Sequence, residues 1–339
     1  MKFSYTGFLL FASDVLGASR TKAPSGCLTV SPNGTYRTVQ SAVNALPTDS
    51  ASDQCIFIDR GTYNEQVLVS ARSAPRFTIY GFTTDDRSPA ANGATIVFGL
   101  SQKDGLNNDG TATLRVKANG FRLYNVNVRN SYGEGSQAVA VSAYADSGYY
   151  GCSLVGFQDT LLSNEGRQIY VDTQITGATD FIFGQRAASW FERADIRVLA
   201  KSLGYVTANG RDSDSNPSYY VFDHSKISAA NGNSVPSGAY YLGRPWRSYS
   251  RVVFQRTDMT SVINTAGWRI WNTDEPNTSN VYYGEYQNTG TGSQGTRANF
   301  SRKLSSPVAI ETILGSDYKS QKWYDASYFA GNGADVGSS

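Results

Sequence analysis

Three six-residue stretches decide the architecture: Tyr149-Tyr150-Gly151-Cys152-Ser153-Leu154, Tyr170-Val171-Asp172-Thr173-Gln174-Ile175 and Phe191-Glu192-Arg193-Ala194-Asp195-Ile196. Each opens on an aromatic residue, closes on an aliphatic one and has a small or β-branched residue two places before the end. The same pattern extends to windows starting at Leu123, Phe222 and Phe254, which end at Val128, Ile227 and Met259. The intervals between the six starts are 26, 21, 21, 31 and 32 residues, so a period near 21 recurs with insertions. Such a period marks a solenoid, in which each repeat buries its apolar face only by stacking on its neighbours. The β-branched and aromatic content makes it a β-solenoid of short parallel strands, with insertions looping out on one face. An aromatic residue and a small residue three places apart would face opposite sides of a flat strand. A bend or bulge therefore falls between them.

Outside the repeat, short β-branched runs dominate: Ile56-Phe57-Ile58, Val67-Leu68-Val69, Phe77-Thr78-Ile79-Tyr80 and Ala94-Thr95-Ile96-Val97-Phe98. Gly, Asn, Asp and Ser punctuate them, as turns require. One amphipathic helix is expected over Tyr36 to Leu46, with Val39, Val43 and Leu46 at helical spacing and Pro47 as the stop. No Pro/Gly/Ser linker divides the chain, so residues 20–339 read as one domain.

Composition narrows the chemistry. Charged residues are 17% of the chain and 30 Lys+Arg balance 28 Asp+Glu, which excludes disorder and a dominant basic nucleic-acid face. One histidine in 339 residues rules out multi-His metal sites and two-His acid/base schemes, leaving carboxylates for any hydrolytic work. Residues 1–19 read as a secretory signal: Lys2, an apolar run from Phe3 to Leu16 interrupted by Asp14, then Gly17-Ala18-Ser19. The expected location is secreted and extracellular, with no membrane partner. Sequons at Asn33, Asn277 and Asn299 agree with export. Of the three cysteines, Cys27 and Cys55 either bridge or stay as two buried thiols, and Cys152 faces inward as an inert one.

Two consecutive coils carry the segments Gly156-Phe157-Gln158-Asp159-Thr160-Leu161 and Gly177-Ala178-Thr179-Asp180-Phe181-Ile182. Asp159 is ten residues after Tyr149 and Asp180 ten after Tyr170, so the register places both acids at one position of adjacent coils. Adjacent strands lie ~4.8 Å apart, and like charges that close resist simultaneous ionisation. One acid then holds a proton while the other is free to act as base or nucleophile. Two turn aspartates bonding their own backbone would be the bland alternative. A calcium site would want further carboxylates, but the same position of the next coil is Lys201.

At these residues the sequence resembles the pectin methylesterases. Gly156 to Leu161, Asp180-Phe181-Ile182-Phe183-Gly184 and Leu242-Gly243-Arg244-Pro245-Trp246 are similar to three signature segments of that family. Gly61-Thr62-Tyr63-Asn64-Glu65, Gln137-Ala138-Val139-Ala140 and Gly284-Glu285-Tyr286-Gln287-Asn288-Thr289-Gly290 resemble three more, so the likeness spans nearly all of the mature chain. The resemblance implies a right-handed parallel β-helix, in agreement with the repeat, and an ester hydrolase acting on polygalacturonate methylated at C6. It implies Asp180 as nucleophile, Asp159 as general acid and then base, and Gln137 and Gln158 as oxyanion donors. Arg244 would orient Asp180 and keep it ionised, and Trp246 would face a sugar ring. Phe181 and Tyr249 are expected to add apolar contact. No cofactor and no metal is implied, and pectin is the expected partner. Leu162 and Gln185 stand where many relatives carry Tyr and Asn, next to the motifs. No long inhibitor-like region precedes the motifs, so the chain looks like a short, directly secreted microbial member.

Rival readings are a polygalacturonase or pectate lyase on the same scaffold, or a wall-binding β-solenoid without turnover. The Gly-His-Gly and Arg-Ile-Lys segments of polygalacturonases are absent. Gly290-Thr291-Gly292-Ser293-Gln294-Gly295 matches G-x-G-x-x-G but lacks the strand-then-helix setting of a dinucleotide site. His224 stands without a G-x-S-x-G partner motif and is given no role. A monomer is expected, because an open groove must admit a polymer.

Overall fold

The computed structural model describes residues 17–331; most of the expected signal, residues 1–16, lies outside them. Parallel strands wind through three sheets of eleven, seven and eight strands. Each full coil visits the sheets in the same order. Val141–Ala143, Ser147–Tyr150 and Ser153–Val155 belong to the seven-, eleven- and eight-stranded sheets, and Leu161–Ser163 starts the next round. This is the β-solenoid that the repeat predicts, in the form of the right-handed parallel β-helix that the family resemblance implies.

The register is the one the aromatic spacing predicts. Leu123 pairs with Tyr149, Tyr149 with Tyr170, Tyr170 with Phe191, Phe191 with Phe222 and Phe222 with Phe254. The rings from Tyr149 to Phe254 stack inside the coil at centroid spacings of 4.7, 4.7, 4.2 and 4.3 Å. Val128, Leu154, Ile175, Ile196, Ile227 and Met259 form a parallel aliphatic ladder in the eight-stranded sheet. The bend sits two residues after each of the six ladder positions from Leu123 to Phe254. Asn125, Gly151, Asp172, Arg193, His224 and Arg256 all have φ between 48° and 59°, the left-handed region that turns the chain from one sheet into the next. Asn, Asp and Gly suit that conformation; Arg193, His224 and Arg256 occupy it because the coil geometry overrides their preference.

The interior is one apolar cluster running the length of the helix, closed at its N-terminal end by the helix Val39–Ala45. That helix starts three residues later than the spacing suggests. Tyr36 instead bridges Val30, Thr38 caps the helix by accepting from Ser41 N, and Glu65 accepts from the amides of Val39 and Gln40. Cys27 and Cys55 form a disulfide in register between the first two strands of the eleven-stranded sheet, and Cys152 is a buried thiol. The outer face of that sheet is covered by the C-terminal segment. Arg122 donates to the carbonyls of Lys322 (2.6 Å) and Tyr324 (2.5 Å), and Tyr150 to that of Trp323 (2.7 Å). On the outer face of the seven-stranded sheet a smaller apolar cluster is packed against Tyr144, Trp246 and Trp271, and the site lies there. Among the described residues no helix is long and apolar enough to cross a membrane.

Candidate active site

Asp159 and Asp180 each occupy the corner between the eight- and seven-stranded sheets. Asp159 follows Ser153–Val155 and precedes Leu161–Ser163; Asp180 follows Gln174–Gly177 and precedes Ile182–Gly184. Gln158 bridges Thr179, and Asp159 N donates to Thr179 O at 3.0 Å, so the acids are neighbours one strand spacing apart. Their φ angles are 65° and 50°. Aspartate is among the few side chains that tolerate this region. Gly177 makes the corner possible, since a Cβ there would lie 2.3 Å from the Cβ of Phe181. Both aspartates are only 6% exposed.

Arg244 arrives from the loop after Tyr240–Gly243, pinned to the preceding coil by Arg244 N to Thr207 O (3.1 Å) and Trp246 N to Asn209 O (3.2 Å). Its Nε and Nη2 donate to Oδ1 and Oδ2 of Asp180 at 2.9 and 2.6 Å, a two-pronged fork that fixes the plane of the carboxylate. The guanidinium is held between the rings of Tyr205 and Trp271, each 4.1 Å from its carbon, and Nη1 reaches the Trp271 carbonyl at 3.4 Å. Neither Tyr205 nor Trp271 stands out in the sequence; chain winding alone brings them to Arg244.

The fork makes the two acids unequal. Burial pushes the Asp159 carboxyl well above the usual carboxylate range, the charge of Asp180 pushes it further, and Arg244 only partly opposes this. Burial also raises Asp180, but its hydrogen bonds to Arg244, the charge of Arg244 and the charge of Lys201 pull it back. Both carboxyls thus end above the usual range, Asp159 further than Asp180, so of the two Asp159 holds a proton the more readily. The expected place of Lys201 requires a correction: Leu161 pairs with Ile182 and Ile182 with Thr207, so the rung that holds Asp159 and Asp180 continues to Tyr205, while Lys201 lies in the turn before Gly204–Asn209 and pairs with Glu134 at 3.0 Å.

Gln137 and Gln158 lie on the coils just before Asp159 and Asp180. Their backbone carbonyls are occupied, accepting from Gln102 N and Ala138 N. Among the described residues their side-chain amides make no hydrogen bond, so neither builds an amide ladder nor caps a turn. Below them Ala112, Val139, Leu162, Phe183 and Ala208 form an apolar floor on the outer face of the seven-stranded sheet, edged by Tyr144, Trp246 and Trp271. Trp246 packs at 6.1 Å from Phe183. Leu162 is part of this floor, so the departure from the family pattern keeps the contact apolar. Phe181 requires a correction. It is fully buried in the interior cluster and cannot meet a sugar; the corner at Asp180 turns it inward, and Phe183, two residues on, takes the outward place. Tyr249 is half-buried at the end of the Trp246 loop, its N–H on Arg211 O at 3.2 Å.

One group of His, Asp and Glu ligand atoms lies close enough for a cation among the described residues: Glu192, Asp223 and His224. It sits at the other corner of the coil, in the eleven-stranded sheet. Asp223 already pairs with Arg256, and Glu192 accepts from the indole of Trp190 at 2.9 Å, so its charge is spoken for.

Comparison with known proteins decides the family. The model of the pectinesterase family matches residues 28–306. A pectinesterase of Aspergillus niger is 50% identical over 324 residues, covering 94% of this chain and 97% of its own. The chain belongs to the pectinesterase family. The crystal structure of the pectin methylesterase from Aspergillus niger in deglycosylated form superposes with a TM-score of 0.85 at 40% identity, covering 91% of this chain and all of that one. The pectin methylesterase from carrot gives 0.78 at 29% identity, covering 91% and 98%. As a pectinesterase the chain is a carboxylic-ester hydrolase.

Proposed function

We propose that the chain removes methyl esters from C6 of galacturonosyl residues in pectin, with Asp180 as nucleophile and Asp159 as acid and base. The observation that carries this reading is the arginine fork, which is given to Asp180 alone of the two neighbouring buried acids. An Oδ of Asp180 attacks the ester carbonyl, and the resulting oxyanion takes hydrogen bonds from the free amides of Gln137 and Gln158. As the tetrahedral carbon collapses, the C–OCH3 bond breaks and the departing oxygen takes the proton of Asp159, giving methanol. Asp159, now an anion, removes a proton from water. The hydroxide adds to the C6 carbonyl, the bond to Asp180 breaks and pectate leaves. One proton goes out and one comes back, so the dyad returns to its starting state. Trp246, half-buried and backed by the buried ring of Phe183, offers the flat apolar surface against which a sugar ring packs.

The working enzyme is a secreted monomer of residues 20–339, with residues 1–19 removed. The three pectin-degrading chemistries differ in product. Highly methylated pectin should yield methanol without new reducing ends. New reducing ends would indicate a hydrolase of the backbone, ultraviolet-absorbing ends a lyase, and no methanol from folded protein would refute the reading.

A further inference from the structure

A hollow of about 570 Å³ lies around the corner from Asp180, where the seven-stranded sheet hands over to the eleven-stranded one. Its floor follows from strand parity. Tyr220, Val252 and Tyr283 are in register and fully buried, so their neighbours Tyr219, Arg251 and Tyr282 form an outward row. Arg251 lies 4.9 Å over the ring of Tyr219, Arg302 lies 4.6 Å over Tyr282, and the two tyrosine rings meet edge-on at 6.0 Å. Arg211 forms the wall toward the cleft, locked by donation to the carbonyls of Asn216 (2.8 Å), Asp214 (2.5 Å) and Tyr249 (3.3 Å).

The charges do not cancel. Among the described residues the one carboxylate that lines the hollow is Asp214, whose side chain is 95% exposed and 3.6 Å from Arg211. Among the described residues Arg251 and Arg302 pair with no carboxylate. Burial, and then the charge of Arg251, lower the proton affinity of Arg211; burial raises the hydroxyl of Tyr219, and Arg251 and Arg302 only partly oppose it. Two arginines gathered without a counter-charge, in a concavity walled by tyrosine rings, suit an anion carried on a sugar ring: guanidinium forks for a carboxylate and aromatic faces for the C–H side of the ring. The volume falls within the ~300–1,000 Å³ usual for small-ligand sites.

We propose that this hollow is a second polysaccharide site, which holds uronate carboxylates of an already de-esterified stretch while the cleft works on an esterified one. The assignment rests on the pectin reading of the cleft. Tyr249, three residues after Trp246 in the same loop, lines the hollow and ties it by chain to the cleft.

The test compares the parent protein with R251Q/R302Q and with Y282A on two substrates. One is a fully methylated short oligogalacturonide, which fills only the cleft; the other is pectin with de-esterified blocks. On the block polymer the double variant should raise KM about fivefold, the scale of losing two partly exposed charge contacts, with kcat and the unfolding midpoint unchanged. Its kinetics on the short oligomer should equal the parent's. Y282A should raise KM on the polymer without any charge change, and unesterified oligogalacturonate should bind the parent in one more class of site than the double variant. R302Q alone, at an exposed position, repeats the comparison should the double variant fold poorly. Equal KM for parent and variants on the block polymer would overturn the second site. Equal displacement by sulfated dextran together with an unaffected Y282A would overturn its sugar specificity. Absence of methanol from either substrate with the parent would instead refute the esterase reading.

Discussion

Replacing Arg244 by Gln isolates the step that makes the two acids unequal. The change removes both prongs of the fork, at 2.9 and 2.6 Å, and the charge between Tyr205 and Trp271. Taking one partner from a buried ion pair costs about 3–5 kcal/mol. Arg244 keeps a fifth of its side chain in solvent, so the lower figure applies at neutral pH. The stranded carboxyl escapes part of this by taking up a proton. All contributions of Arg244 to Asp180 are downward, so their loss moves Asp180 up. A nucleophile must be ionised, and therefore the acid limb of the methanol-release profile should move to higher pH. The alkaline limb, where Asp159 loses its proton, moves less, and the bell narrows. At neutral pH kcat should fall about 10²–10³-fold, the scale of losing ~3–4 kcal/mol of charge stabilisation at a reacting group. Arg244→Lys keeps a charge without the planar fork and should fall between. The assay is initial methanol release from methylated pectin across pH 4–9 for all three proteins, with unfolding midpoints alongside. An equal loss at every pH, with the acid limb unmoved, would mean that Arg244 serves only as packing between two rings and would refute the reasoning.

Three further outcomes follow from the same geometry. Asp159→Asn should abolish turnover yet raise the unfolding midpoint at neutral pH. A carboxyl raised by burial keeps its proton in the folded state while the unfolded chain loses it near ~3.9, so the parent loses stability as pH climbs between those points, and the amide does not. A midpoint difference that stays constant down to pH 3 would contradict this. Gln137→Ala and Gln158→Ala should each lower kcat about 10²-fold with little change in KM, because their free amides act on the oxyanion and not on the bound ester; a pure KM effect would remove them from that role. Phe181→Ala should cost about 3–5 kcal/mol of stability as a core cavity and leave KM nearly unchanged, whereas Trp246→Ala, at a half-buried position, should cost less stability and raise KM, a contrast read by calorimetry and kinetics on the two variants.

The ladders were legible because stacking demands them. A residue facing the interior of a coil meets the same position of the next coil, so Tyr149, Tyr170, Phe191, Phe222 and Phe254 repeat a chemistry that spacing alone reveals. Asp159 and Asp180 were legible for the same reason, since they occupy one rung. The bend was implied by parity but had no address, because Asp172, Arg193, His224 and Arg256 share a backbone angle and no side-chain chemistry. Phe181 was misplaced because an alternating pattern does not survive a left-handed corner: the residues after Asp180 point inward, inward and then outward. Tyr205 and Trp271 left no trace in the sequence at all. Their contact with Arg244 is made by separate coils and a loop, and nothing local marks it.

Trapping the acyl-enzyme tests the central claim most directly. Enzyme turning over methylated pectin is quenched into hydroxylamine, digested, and its peptides are weighed and sequenced by mass spectrometry. A mixed anhydride on Asp180 predicts a hydroxamate at Asp180 and none at Asp159. A hydroxamate at Asp159, or none at either while methanol is being released, would contradict it.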